Sequence, residues 1–340
     1  MKPTVVLTSW VQDQVLERLR ECCTVIANET KQPWPAAVWK NNLARADAVI
    51  AFMPDRIDAA VLEAAPSLKL VSCCLKGFDN FDIDACSRRG VLVTILPDLL
   101  TEPGAELAVG LMVAAGRHLL AADRYVRSGA FKGWRPCFYG TGLAHSTVGL
   151  IGFGAVGQAI AQRLAGFHST VLYWDKRRAN TEIEARLGAT FSELDRLVRT
   201  SDFIVLALTL TAETHHFMNA DRLDAMKPGA ILINFARGSL VDEAAVTQSL
   251  QRQHLGFYAA DVFEFEDWAL PDRPRQIDPA LLALADRTLF TPHLGSAVRR
   301  VREEMAMQAA DNVLRFFRGE LPPGALNLMS CRRTMHEHGS

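Results

Sequence analysis

The sequence lacks several things that would fix its class at once. No uninterrupted apolar run approaches the roughly 20 residues that a membrane-spanning helix needs. The opening Met1-Lys2-Pro3-Thr4-Val5-Val6-Leu7 is too short an apolar stretch for a signal peptide and has no small-residue cleavage site after it, so it reads as a first strand. There is no charge excess: 37 Lys+Arg stand against 38 Asp+Glu, a formal −1 at pH 7. A balanced chain of this kind is not expected to bind nucleic acid or an anionic membrane surface, although a small cationic pocket is compatible with it. Seven cysteines form no Cys-x-x-Cys, no paired Cys/His spacing and no disulfide framework. They point to reduced, mostly buried thiols, no metal site and a cytoplasmic location. Solenoid-period repeats are absent too.

What is present is an α/β rhythm over 340 residues, a length that suggests about two domains. Short β-branched runs at Val5–Leu7, Ala48–Ile50, Leu70–Ser72 and Val91–Thr94 alternate with helical stretches near Val11–Leu19 and Ala59–Ala65. A long, apolar helix is expected over about Gly104–Ser128, packed between domains or subunits because it has no polar face. A second series of strands is expected at Thr147–Ile151, Thr170–Trp174, Phe203–Leu208, Ala230–Asn234, Tyr258–Val262 and Thr288–Thr291. A helix over Ala297–Phe317 follows, and the polar residues 329–340 read as a flexible tail. Alternating strands and helices imply parallel sheets covered on both faces.

The strongest motif is Gly152-Phe153-Gly154-Ala155-Val156-Gly157. A strand precedes it, a helix follows, and a second strand ends in Asp175, 23 residues after Gly152. This context completes the dinucleotide-binding fingerprint, in which the glycine turn and the helix N-terminus receive a pyrophosphate. Asp175 is suited to the adenosine ribose hydroxyls and favours NAD; Lys176-Arg177-Arg178, directly after it, leave NADP open as a weaker alternative.

Three polar groups follow strands of this second series: Arg237, Glu266 and His293. Doubly wound folds place ligands at such strand ends. Arg237 offers a fork of donors to an anion. His293 is suited to proton transfer near neutrality, and Glu266 to fixing its tautomer. Asp261 is expected at the nicotinamide carboxamide.

These segments, with Asn234–Ser239, Asp261–Glu266 and Thr291–Gly295, resemble the D-isomer-specific 2-hydroxyacid dehydrogenase family over residues 1 to about 328. The resemblance implies a Rossmann-type doubly wound sheet inserted into a smaller flavodoxin-like α/β substrate domain. The implied boundaries are 1–98 plus 294–328 for the substrate domain and 99–293 for the dinucleotide-binding domain. It implies Arg237, Glu266 and His293 as the catalytic set and a homodimer built largely from the cofactor domains. Cofactor contacts are implied at Gly152, Gly154, Ala155, Val156, Gly157, Asp175, Lys176, Thr209, Ala236, Asp261 and Gly295. Thr209 stands where the family usually has proline.

Other segments resemble the phosphite (phosphonate) dehydrogenases of that family: Ala51–Arg56, Leu75–Asp82, Trp134–Gly142, Glu264–Trp268 and Gly295–Arg302. This likeness implies NAD-dependent oxidation of phosphite to phosphate, with hydride leaving phosphorus as water attacks. Substrate contacts are then expected from Lys76, Gly77, Met53, Trp134, Tyr139, Ser296 and Arg302, the cations serving a small dianion. The first candidate for the base is His293, with Arg237 or a substrate oxygen as alternatives. Two other readings share the fold: a glycerate- or glyoxylate-type 2-hydroxyacid dehydrogenase, and a non-catalytic NAD-sensing binding protein.

Overall fold

The computed structural model describes residues 2–328; the expected tail over 329–340 lies outside them. The described chain forms two compact units. One holds the residues up to Leu100, Trp268–Pro271 and those from Ala297 on; the other holds Thr101–Asp267 and Asp272–Ser296.

The first unit is built on five parallel strands: β1 (Thr4–Leu7), β2 (Thr24–Ala27), β3 (Ala48–Ala51), β4 (Leu70–Cys73) and β5 (Leu92–Thr94), in the order β2-β1-β3-β4-β5. This is the flavodoxin-like order. Strands β3 and β4 are buried throughout, as expected for central strands covered on both faces, and the edge strand β5 is buried as well. The helix Arg299–Phe317 packs on them through Val301, Met305, Ala309 and Val313. Ser72 Oγ donates to Ala309 O at 2.9 Å, joining β4 to that helix.

The second unit carries seven parallel strands: β6 (Thr147–Ile151), β7 (Thr170–Trp174), β8 (Ala189–Phe191), β9 (Phe203–Leu206), β10 (Ile231–Asn234), β11 (Phe257–Ala260) and β12 (Thr288–Phe290). Their order, β12-β11-β10-β9-β6-β7-β8, is a Rossmann sheet with one added edge strand. The order reverses between β6 and β9, the place where doubly wound sheets bind ligands.

The long helix expected over 104–128 is two helices. Thr101–Gly116 ends before His118, which adopts a left-handed φ of 50°, and Leu119–Arg127 restarts in a new direction. The first half packs within the second unit: Ala105, Ala108, Leu111, Met112 and Ala115 are buried in its core, with Ile160 and Leu164 of the helix Ala155–Leu164. The second half buries no residue in the described chain. Among the described residues no single helix is long and apolar enough to cross a membrane.

Candidate active site

The fingerprint loop joins β6 to the helix Ala155–Leu164. Gly152 has φ of 101° and lies so close to Ala207 that a Cβ would sit 2.5 Å from its carbonyl oxygen. Only glycine accepts both constraints. Gly157 lies against the Gly152 carbonyl, which brings the helix down onto the strand. Gly154, the N-cap, faces open space, and no side chain caps the helix amides there. An uncapped helix N-terminus beside open space fits the pyrophosphate of a dinucleotide, which would take its hydrogen bonds from those amides.

Asp175 ends β7. Its Oδ2 accepts from Phe153 N at 2.7 Å, so the carboxylate also braces the glycine turn. The three cations after it have separate fates. Lys176 pairs with Glu213, and Arg178 reaches both oxygens of Glu184 at 2.9 Å. Arg177 is exposed beside Asp175 with no such carboxylate partner. Thr209, in the loop after β9, accepts through its carbonyl from Thr214 Oγ1 at 2.7 Å.

The reactive groups follow β10, β11 and β12. Arg237 is half-buried and its Nη1 donates to Ala236 O at 2.8 Å. The loop is held from below by Asn234, whose Nδ2 donates to Arg237 O at 2.9 Å and whose Oδ1 accepts from Ala236 N at 3.3 Å. Gly238 is pressed against the Phe263–Glu264 backbone, where no Cβ would fit. That approach brings the Arg237 turn onto the turn that carries Glu266. Glu266 uses both oxygens: Oε1 accepts from Phe263 N and Oε2 lies 2.9 Å from His293 Nδ1. A carboxylate on Nδ1 keeps the proton there and leaves Nε2 as the nitrogen that exchanges one.

His293 itself is strained, with φ of 55°, uncommon for a residue other than glycine. Asp261 holds it so. Asp261 O accepts from His293 N at 2.8 Å, Oδ1 from Thr291 Oγ1 at 2.5 Å and Leu294 N at 2.7 Å, and Oδ2 from Gly295 N at 2.9 Å. The carboxylate expected at the nicotinamide thus turns both oxygens onto the loop on either side of His293. Burial pushes the Asp261 carboxyl up, opposed by these hydrogen bonds and by nearby His293. Ser296 is buried just beyond this loop.

The remaining expected site residues divide between the units. Met53 follows β3, and Lys76 and Gly77 follow β4, in the five-stranded unit. Asn80 ties their loops together, its Nδ2 donating to Met53 O at 2.9 Å. Asp55 anchors the first loop from inside, accepting from Thr8 Oγ1, Phe52 N and Trp39 Nε1. Burial pushes its carboxyl up and those donors oppose the shift. Arg302, in the first turns of the helix Arg299–Phe317, lies close enough to Cys74 at the end of β4 to counter the burial that pushes that thiol up to about 12. Trp134 and Tyr139 do not join the His293 cluster. They are 86% and 81% exposed, and Tyr139 lines an open surface cavity of about 650 Å³ with His118, Arg124 and Tyr125.

Sequence reasoning missed Asn234, Asn80, Asp55 and the buried Glu243, all of which act through other residues. Asn234 closes its strand, where a small amide is the available signal; Asp55 and Asn80 lie further along their loops and carry no such mark.

The model of the D-isomer specific 2-hydroxyacid dehydrogenase NAD binding domain matches residues 109–295, more than half of the chain. The chain belongs to that family. A glyoxylate reductase of Thermococcus onnurineus (strain NA1) is 39% identical over 332 residues, 96% of each chain. The TT0316 protein of Thermus thermophilus superposes with a TM-score of 0.85 at 35% identity, covering 95% of this chain and 99% of that one. An NADPH-dependent glyoxylate/hydroxypyruvate reductase of Sinorhizobium meliloti, solved with NADP and malonate, gives 0.82 at 29% identity over 98% of both chains. As a member of the 2-hydroxyacid dehydrogenases, the chain is an NAD-dependent oxidoreductase, and the seven-stranded unit carries its NAD-binding domain.

The expectation of phosphite oxidation is overturned. Relatives at 37–39% identity along the chain are glyoxylate reductases. Of the segments that suggested phosphite, Trp134 and Tyr139 stand exposed, and Asp267 is buried, its Oδ2 accepting from Ser239 N at 2.7 Å.

Proposed function

We infer that this chain reduces a small 2-oxo acid, of the glyoxylate and hydroxypyruvate class, to the corresponding 2-hydroxy acid. The observation that carries the reading is the Glu266–His293 pair at 2.9 Å on the same strand-end surface as Arg237, in a chain whose relatives reduce glyoxylate. A reduced nicotinamide, when bound, supplies the hydride to the carbonyl carbon. His293 gives a proton from Nε2 to the carbonyl oxygen as charge builds there, and Glu266 stabilises the imidazolium before transfer. Arg237 binds the substrate's anionic oxygens and orients the carbonyl. In the reverse direction His293 takes the hydroxyl proton.

In this reading the five-stranded unit is the substrate domain, split in sequence by the cofactor domain. Lys76, the Gly77 amide, Met53 and Arg302 of that unit are the proposed substrate contacts, together with Ser296 of the other. Cofactor contacts follow the fingerprint, Asp175, Thr209, Ala236 and Gly295, with NAD preferred over NADP because of the Asp175 charge. A homodimer is part of the proposal: Leu119, Val126, Phe131, Trp134 and Tyr139 present large apolar groups on one stretch of the second unit, and a second copy would cover them. Phe131→Ser with Trp134→Ser should shift light-scattering mass to the monomer; unchanged mass removes that surface from the interface.

The experiment for the activity is NADH oxidation on adding glyoxylate or hydroxypyruvate. Turnover that requires His293 supports the reading. Absence of turnover with either acid in protein that binds NADH sinks it.

A further inference from the structure

Glu243 is the least expected charged group near the site. It is 5% exposed, in the first turn of the helix Glu243–Gln251. Its carboxylate and that helix are laced to the turn that carries Glu266. Glu264 N donates to Glu243 Oε1 at 2.9 Å, and Glu243 N donates to Glu264 Oε1 at 2.8 Å. The turn is a single 3-10 turn, Glu264–Glu266, with no long ladder of its own. Its outer anchor is therefore Glu243, while its inner contact is Glu266 on His293.

We propose that Glu243 is a positioning residue for the Glu266–His293 pair, holding the Glu264–Glu266 turn in place and transmitting its own ionisation to that pair. The inference rests on the reading of Glu266 and His293 as the reactive groups.

The electrostatics of the pocket support it. Glu264, Glu266 and Asp267 all face Glu243 from the turn, and burial together with their charges pushes the Glu243 carboxyl up to about 7. From β11 the buried Tyr258 phenol adjoins it, its own ionisation opposed by Glu243 and Glu264. From the loop before β10, His216 Nε2 lies 3.3 Å from Glu264 Oε2. Arg237 precedes Gly238 on the turn packed against Phe263–Glu264, and the neighbouring helices carry further charged groups. Arg222 donates to Phe217 O, Asp224 pairs with Arg252 at the far end of the helix, and Asp242 and Asp278 cap helices. Asp221 is in the first turn of the helix Ala220–Ala225. Several carboxyls in one small volume cannot all ionise without mutual cost, and the buried Glu243 is the one whose carboxyl is raised.

The first measurement needs no substrate, so it stands apart from the identity of the oxo acid. Heteronuclear NMR on the full chain with NADH bound follows the Glu264 amide, the hydrogen-bond donor to Glu243, and the His293 ring against pH. The native protein should show one shared step near pH 7 at both positions, and Glu243→Gln should lose it at both. Glu243→Gln should also lose that step from the pH profile of kcat for glyoxylate reduction, with KM unchanged, whereas a merely structural role would lower stability and leave the profile alone. Glu243→Asp should restore a step. A His293 signal with no component shared with Glu264, or a Glu264 step that persists in Glu243→Gln, overturns the proposal. If Glu243→Gln does not fold, the shared step in the native protein decides alone.

Discussion

His293 Nδ1 and Glu266 Oε2 lie 2.9 Å apart although the residues are 27 positions distant in sequence. The contact depends on two loops being held independently. Asp261 clamps the residues on both sides of His293, and the Phe263 amide pins the other oxygen of Glu266. The imidazole is thus held in tautomer and direction by groups of the chain itself, which is the preorganisation that proton transfer exploits.

Removing the charge but not the shape of Glu266 should expose that dependence. Glu266→Gln is expected to lower kcat for glyoxylate reduction by about 10²-fold or more, with KM changed little, because general acid catalysis contributes roughly 10²–10⁴. Steady-state NADH absorbance measures it. A variant that keeps most of its kcat would detach Glu266 from proton transfer.

Asp261 makes a different prediction. It touches the loop and not the reacting atoms, so Asp261→Asn leaves an amide that cannot accept from all three donors at once. Each hydrogen bond to the carboxylate that is lost from these part-buried donors costs about 1.5–3 kcal/mol. Denaturant unfolding should show a stability loss of that order together with a fall in kcat. Unchanged stability would contradict the clamp.

The fingerprint glycines should separate by experiment. A Cβ at Gly157 would strike the Gly152 carbonyl, whereas one at Gly154 would meet open space. Gly157→Ala is expected to lose about 1–3 kcal/mol by overpacking. Gly154→Ala should melt with the native protein when no cofactor is present, and bind NADH at least about tenfold more weakly, a change of about 1.4 kcal/mol. Thermal melts and NADH titration by fluorescence distinguish the two. Equal Tm losses would contradict the assigned packing.

Much of this was legible in the chain. Strands β6 and β7 follow the expected ranges because each is an apolar, β-branched run between turn residues, and Arg237, Glu266 and His293 each follow a strand whose register repeats its neighbour's. Two edge strands were missed: Thr24–Ala27, which is only partly buried, and Ala189–Phe191, which has three residues. Neither makes an apolar run long enough to stand out. The break in the long helix was hidden because His118 takes a left-handed conformation that its composition does not announce. The substrate was misread for a related reason. The Glu264–Trp268 and Trp134–Gly142 segments carried the phosphite likeness, but the duty of Asp267 at Ser239 N and the exposure of Trp134 and Tyr139 are invisible without long-range contacts.

Glu243 yields a prediction for stability as well. Its carboxyl is raised from 4.5 to about 7 in the folded chain, so between those values the folded state holds a proton that the unfolded state releases. The contribution is fully present below pH 4.5 and is lost as pH rises through about 7. Linkage puts the loss at about 3 kcal/mol. Urea unfolding at pH 5 and pH 8 should show the native protein losing stability relative to Glu243→Gln over that interval. A constant difference between the two proteins would contradict it.

The most direct test of the central claim is NADH oxidation by purified protein with glyoxylate and with hydroxypyruvate, repeated on His293→Ala. The account predicts turnover of at least one 2-oxo acid by the native protein and a loss of about 10²-fold or more in the variant. Native protein that binds NADH and reduces neither acid, or a variant as active as the native enzyme, would contradict it.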